Sequence, residues 1–312
     1  MFEWERCRRL RKSEQPRSEM PRKAPKKTAA KRRKNAACRV SRGSASPRGS
    51  ALSERKINPP SRSLEIRLIP VTIKDEIHSG DDIANKLHEA LQCNGYQLQP
   101  GDILVIKHKI ISKAEGQLID LATIAPSAES VTWAKQYDLD PRVIELALRE
   151  SRSVIRRKNG VLITETRHGF LCANSGIDVS NVNGGRHALL LPEDPDRSAQ
   201  QIHRKLKKQT GIAVAVIITD SFGRPWREGL TEFAIGIAGM KPLRDDRGRT
   251  DPHGYKLKAS VEAIADELAC AAGLVCGKLN RAPACIVRGF PYEAGEARIL
   301  ELLRPAPADL FR

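Results

Sequence analysis

The chain has 312 residues, 40% of them hydrophobic, with 54 Lys and Arg against 37 Asp and Glu, which is enough apolar material for one large or two modest cores and too much for a wholly disordered chain. Residues 1–60 hold 19 Lys and Arg and 5 Asp and Glu, leaving 35 against 32 in residues 61–312, so the formal charge of +17 belongs to the N-terminal segment and is no nucleic-acid footprint for the rest. No run approaches the roughly 20 apolar residues of a bilayer span, which excludes a membrane-spanning helix.

Residues 1–60 mix Arg, Lys, Ser, Pro and Ala without a hydrophobic period. That composition buries too little surface to offset the entropy of ordering, and a disordered basic tail is expected. Its run Lys26, Lys27, Lys31, Arg32, Arg33, Lys34 suits RNA, an acidic surface or plain solvation. The opening MFEWERCRRLRK develops no apolar signal segment, which predicts a cytoplasmic protein. Cys93, Cys172, Cys270, Cys276 and Cys285 stand among apolar neighbours without CxxC spacing, so buried thiols are expected rather than zinc ligands or disulfides.

Residues 61–312 read as the folded domain. Alternation over Leu64–Val71 predicts a half-buried strand. A helix follows from Asp82, capped within Ser79-Gly80-Asp81-Asp82, with Ile83, Leu87, Ala90 and Leu91 at helical spacing until Asn94-Gly95. Then come a strand at Ile103–Lys107, a helix from Pro141 to about Ser151 and a strand at Gly160–Glu165. A helix over Asp196–Lys208 is capped by Asp194 or Asp196. The β-rich run Ile212–Thr219 ends at Asp220 as a strand buried on both faces. A long helix is expected from about Leu257 to Cys276, with Gly277 past its end, and a last strand at Ala284–Arg288. The interleaving predicts a mixed α/β or α+β body without internal repeats.

No GxxxxGK[ST] loop and no GxGxxG after a strand is present. Instead, oxygen-bearing residues gather directly after apolar segments, in Ala173-Asn174-Ser175-Gly176-Ile177-Asp178-Val179-Ser180-Asn181 and in Thr219-Asp220-Ser221-Phe222-Gly223-Arg224. Ligands of α/β folds collect at such strand ends. Asp178 and Asp220 are natural carboxylates for a hard cation, magnesium or manganese rather than zinc. The same residues read equally as Asx-turns and N-caps. Lys109 and Lys113 after a strand suit phosphates, or are plain surface lysines. Arg224, Arg227 and Arg288 suit either a bidentate clamp on a carboxylate or phosphate, or a salt bridge at a domain contact. His253, in the polar loop Asp245–Tyr255, is an acid-base candidate or a solvated loop histidine.

Taken in order, LIPV…GDDI, ISKAEG, NSGIDVSN, LLPEDPDRSA, ITDSFGRPWREG, DDRGRTDPHG, ADELA and IVRGF resemble the γ-glutamyl ligase family of coenzyme F420 biosynthesis over about residues 64–304. The resemblance implies a two-lobed, homodimeric fold and GTP-dependent amide-bond formation between L-glutamate and the lactyl-type carboxylate of the coenzyme F420 precursor, through an acyl phosphate. It implies that Asp178 and Asp220 ligate one divalent cation and Ser221 a second, magnesium or manganese, with potassium as a further cation. It places His108, Lys109, Lys113, Asn181 and the segment Cys276–Pro283, with Gly277 and Lys278, at the nucleotide. Lys278 stands where some members carry glutamine, and only its carbonyl could ligate a metal. Thr72–Asp75, TIKD, departs from the Gly-Leu-Pro-like turn of many members, which bears on nucleotide or acceptor preference. Two alternatives accompany this reading: a related GTP-dependent ligase glutamylating another phospho-organic acid, and a nucleic-acid-binding protein led by the basic tail.

Overall fold

The computed structural model describes residues 65–179 and 185–309. The expected basic tail, residues 1–60, and Asn181 lie outside the described residues. Strand β1 (Arg67–Val71) leads to helix α1 (Ile83–Cys93). Asp82 caps α1 by accepting from the amides of Ala84 and Asn85, and Ile83, Ala84, Leu87, Ala90 and Leu91 are buried, as the helical spacing predicts. Strand β2 (Ile103–Lys107) passes directly into the short helix α2 (His108–Ala114), then β3 (Leu118–Asp120), α3 (Ala128–Tyr137) and α4 (Pro141–Arg149). Strands β4 (Ser151–Lys158), β5 (Val161–Thr166) and β6 (Leu171–Ala173) form a three-stranded antiparallel sheet. They are followed by β7 (His187–Leu189), α5 (Pro195–Thr210) and the long hairpin β8 (Ala215–Arg224) and β9 (Arg227–Ala238). The short strands β10 (Arg244–Asp245) and β11 (Val261–Glu262) pair ahead of α6 (Ile264–Cys276) and β12 (Ala284–Arg288).

The main sheet has the order β1-β12-β2-β8-β9. Only β2 and β8 run parallel in it, Ile103 facing Ala215 and Lys107 facing Thr219. Its centre is apolar on both faces: Ile103, Leu104, Ile106, Val216, Ile217 and Ile218 are each fully buried. Helix α5 packs on β8 and β9, and α6 on β1, β9 and β12. A smaller core gathers Leu121, Leu146, Ala188 and Leu190 beneath Val143 and Ile177. The body is thus mixed α/β with several sheets.

Three expectations are corrected. The strand read as ending at Asp220 continues to Arg224, with Asp220, Ser221 and Phe222 opposite Phe233, Glu232 and Thr231. Beyond Thr219 this strand has left β2 behind and keeps β9 as its partner, so residues that punctuate turns are tolerated there. The long helix starts at Ile264 rather than Leu257: the Leu257 amide donates to Arg249 O, Gly248 donates to Leu257 O, and Val261–Glu262 pair with β10, which holds this stretch as the return limb of the polar loop. Finally, Cys93 is exposed, as the polar side of α1 dictates, while Cys172, Cys276 and Cys285 are buried; all five described cysteines are free thiols. Of the two cap candidates for α5, Asp194 is the one used, accepting from the Arg197 amide at 3.0 Å. Asp196 is buried and accepts from the amides of Ile237 and Ile299.

Candidate functional site

The parallel register of β2 and β8 sets their carboxyl ends side by side, so the next residues, His108 and Lys109 on one strand's exit and Asp220 and Ser221 on the other, share one edge of the sheet. His108 is 1% exposed. Its Nδ1 lies 3.1 Å from Ser112 Oγ, one turn along α2. Its Nε2 lies 3.2 Å from Asp220 Oδ1 without the alignment of a hydrogen bond. The neighbouring Lys109 reaches the second aspartate, its Nζ pairing with Asp178 Oδ2. Consecutive side chains of α2 thus address the two carboxylates that the sequence singled out.

Asp178 owes its place to a tight turn and a strand. Asn174 and Ser175 take positive φ values of 49° and 55°, and Gly176 follows at 73°, where a Cβ would lie 3.0 Å from Leu191. The buried Ser175 hydroxyl donates to Ala147 O at 2.7 Å, and its amide donates to Thr164 Oγ1. After that anchor, Asp178 exchanges both backbone hydrogen bonds with Leu189 of β7, at 3.0 and 2.9 Å. Asp220 Oδ1 accepts from the Ser221 amide at 2.7 Å. Burial, with the Asp220 charge adding to it, pushes the Cys172 thiol pKa well up, so this cysteine stays protonated and is no nucleophile.

Beneath these groups lies a carboxylate that sequence reasoning missed. Glu232 of β9 is 8% exposed. Its Oε1 accepts from Ser221 Oγ at 2.7 Å and pairs with Lys107 Nζ, while its Oε2 accepts from Thr219 Oγ1 at 3.0 Å. The one local signal was a glutamate directly ahead of the apolar run Phe233–Ala238, where a charge needs partners.

Lys113 sits one helical turn beyond Lys109 and pairs with Glu76, which holds that carboxyl below its usual range. Arg281 adds to the same field, and the Ile73 amide donates to Arg281 O at 3.3 Å. The TIKD segment, Lys113 and the segment Cys276–Pro283 therefore converge. Gly277 ends α6 at φ 56°, its amide donating to Gly273 O, and Lys278 beyond it is exposed.

Other candidates fall elsewhere. Arg288 is committed within the fold: its Nε and Nη2 donate to Asp102 Oδ1 and Oδ2, each at 2.8 Å, and Nη2 also to Gln97 O. The salt-bridge alternative is the one realised. Arg224 and Arg227 face each other at the tip of the β8–β9 hairpin. His253 is exposed, its amide bonded to Asp251 in a loop turn. Among the described residues no group of three His, Cys, Asp or Glu side chains is close enough to hold a metal ion by itself. Asp178 and Asp220, and Ser221 for a second cation, offer hard oxygens of the kind magnesium or manganese takes while keeping places for water and phosphate oxygens, not the nitrogen and sulfur ligands of a structural zinc.

Residues 73–289, which include all of these groups but Thr72, match the family model described as F420-0:gamma-glutamyl ligase. The chain belongs to the F420-0:gamma-glutamyl ligase family. It is 45% identical over 250 residues to the coenzyme F420:L-glutamate ligase of Methanothermobacter thermautotrophicus, covering 79% of this chain and 99% of that protein. The protein of the same name from Methanopyrus kandleri is 42% identical over 252 residues, covering 79% and 98%. That of Methanocaldococcus jannaschii is 43% identical over 218 residues, covering 70% and 87%. The chain is thus a ligase of this family, and the matched span begins beyond the basic segment. Among the described residues no helix is long and apolar enough to cross a membrane.

Proposed function

We propose that the chain joins the amine of L-glutamate to the lactyl-type carboxylate of the coenzyme F420 precursor at the expense of GTP. The observation that carries this is the match to the ligases above over nearly their whole length. In this reading the precursor carboxylate attacks the γ-phosphorus of GTP, GDP leaves, and an acyl phosphate results. The glutamate amine then attacks the acyl carbon and phosphate departs with one of the original carboxylate oxygens.

Both steps concentrate negative charge, and the chain's own groups answer it. Lys109 and Lys113 stand four residues apart on α2 and are held by Asp178 and Glu76. Entering phosphates compete with those carboxylates for the two ammonium groups, which lets the cations be pre-positioned without being left bare. Buried His108 orients beside Asp220 and, fixed by Ser112, resists reorientation. Asp178, Asp220 and Ser221 would hold magnesium or manganese, whose chemistry is to neutralise charge on the transferring phosphoryl group. The convergence of TIKD, Lys113 and Cys276–Pro283 supports a nucleotide lying along that side. We further propose that the active protein is a homodimer.

The test is GDP release by the purified protein with each component omitted in turn. Release that needs GTP, manganese, L-glutamate and the glutamate-free deazaflavin precursor together supports the reading. Release supported only by a different phospho-organic acid would keep the ligase and replace the substrate.

A further inference from the structure

Ser221 is the weakest of the cation-binding assignments by chemistry, because a neutral hydroxyl binds a cation only when its proton points away. Glu232 supplies the reason that it would. A hydroxyl has one proton and two lone pairs, and Ser221 gives its proton to Glu232 Oε1 at 2.7 Å. A charged acceptor makes this bond stronger than a neutral one and leaves both Ser221 lone pairs for other partners. The acceptor is itself immobilised: Thr219 donates to its second oxygen, the Lys107 ammonium neutralises it, and the Cys270 thiol donates to the Glu232 carbonyl at 3.1 Å. Helix α6 makes room for it at Gly273, where a Cβ would lie 2.6 Å from Glu232 Cγ. A glycine inside a helix is unfavourable relative to alanine, and here it lets α6 close over the carboxylate.

We propose that Glu232 is the positioning residue of this site, holding Ser221 as a pure acceptor for a divalent cation. The inference rests on the reading of Ser221 as a cation ligand. Groups that orient metal ligands typically change metal affinity about 10- to 100-fold when removed.

The experiment titrates manganese into the full-length protein with a non-hydrolysable GTP analogue present and follows free manganese by electron paramagnetic resonance. Ser221→Ala and Glu232→Gln should each weaken one class of sites by about 10- to 100-fold. The double variant should be no weaker than Ser221→Ala alone, because Glu232 acts through that hydroxyl. If Ser221→Ala leaves manganese binding intact, Ser221 is no ligand and the inference falls with that reading. If Ser221→Ala weakens binding while Glu232→Gln lowers only the melting temperature, the ligand reading stands and the positioning role is overturned. Additive effects in the double variant overturn it as well. Should Glu232→Gln not fold cooperatively, Glu232→Asp keeps the charge for Lys107 but withdraws the carboxylate from Ser221; weakened manganese binding supports the role and unchanged binding refutes it.

Discussion

Arg288 and Asp102 close a two-pronged ion pair, Nε to Oδ1 and Nη2 to Oδ2 at 2.8 Å each, that ties the end of β12 to the turn before β2. Asp102 is 1% exposed, so removing the guanidinium leaves a buried carboxylate without its charge partner. Arg288→Ala should lower the unfolding free energy by about 3–5 kcal/mol in denaturant titrations and leave turnover of the folded fraction unchanged. A stable variant with lost activity would return Arg288 to the role of a substrate clamp.

Asp178 and Asp220 are the opposite case. Each is partly exposed and lies beside a cationic or imidazole side chain of α2. Asp178→Asn and Asp220→Asn should cut GDP release on the order of 10²- to 10³-fold with a cooperative melt retained. Activity within a few-fold of the parent in either variant would contradict the assignment.

The α3–α4 contact carries a pH signature of its own. Glu145 accepts from the Ser127 amide at 3.0 Å, from Ser130 Oγ at 2.9 Å and from Arg149 Nε at 3.1 Å. The Ser127 amide leads these in lowering its pKa from 4.5 to about 2. A carboxyl whose folded value is depressed contributes stability above its unfolded value, and that contribution fades as pH falls from about 4.5 to about 2. The melting-temperature gap between parent and Glu145→Gln should therefore be widest above pH 5 and narrow towards pH 2. A gap that stays constant over this range would show that the ionised form is not what the hydrogen bonds favour.

At Gly236 on β9, a Cβ would stand 2.5 Å from the Pro195 carbonyl at the start of α5. Backbone cannot yield as a side chain does, so Gly236→Ala should cost about 1–3 kcal/mol, read from thermal or chemical unfolding. Full stability would mean that α5 sits less closely on β9 than described.

The elements with strong local signals were legible in the sequence. The cap and apolar stripe of α1, the run Ile103–Lys107 and the last strand follow from residues that interact with near neighbours. His108, Lys109, Asp178, Asp220 and Ser221 were singled out from their residue types and from the family resemblance; the structure sets four of them at one edge of the main sheet and joins Asp178 to them through Lys109. Their local setting was not. Asp220 and Ser221 belong to a strand that outruns its parallel neighbour, and composition there mimics a turn because one flank has no partner strand in the sheet to demand apolar residues. His108 to Ala114 forms a helix too short to show a period. The partners of Glu232 were hidden for a third reason: Ser221 lies 11 residues away and Lys107 lies 125 away, and their meeting depends on the β8–β9 register and on the parallel pairing of β2 with β8.

In the proposed reaction the precursor carboxylate is activated by phosphoryl transfer before glutamate enters. The most direct measurement labels that carboxylate with oxygen-18 and follows the label by mass spectrometry after turnover with GTP, manganese and L-glutamate. The expected result is a product heavier by one glutamyl unit, formed one for one with GDP, and one labelled oxygen in each inorganic phosphate released. Glutamylated product accompanied by unlabelled phosphate would contradict it.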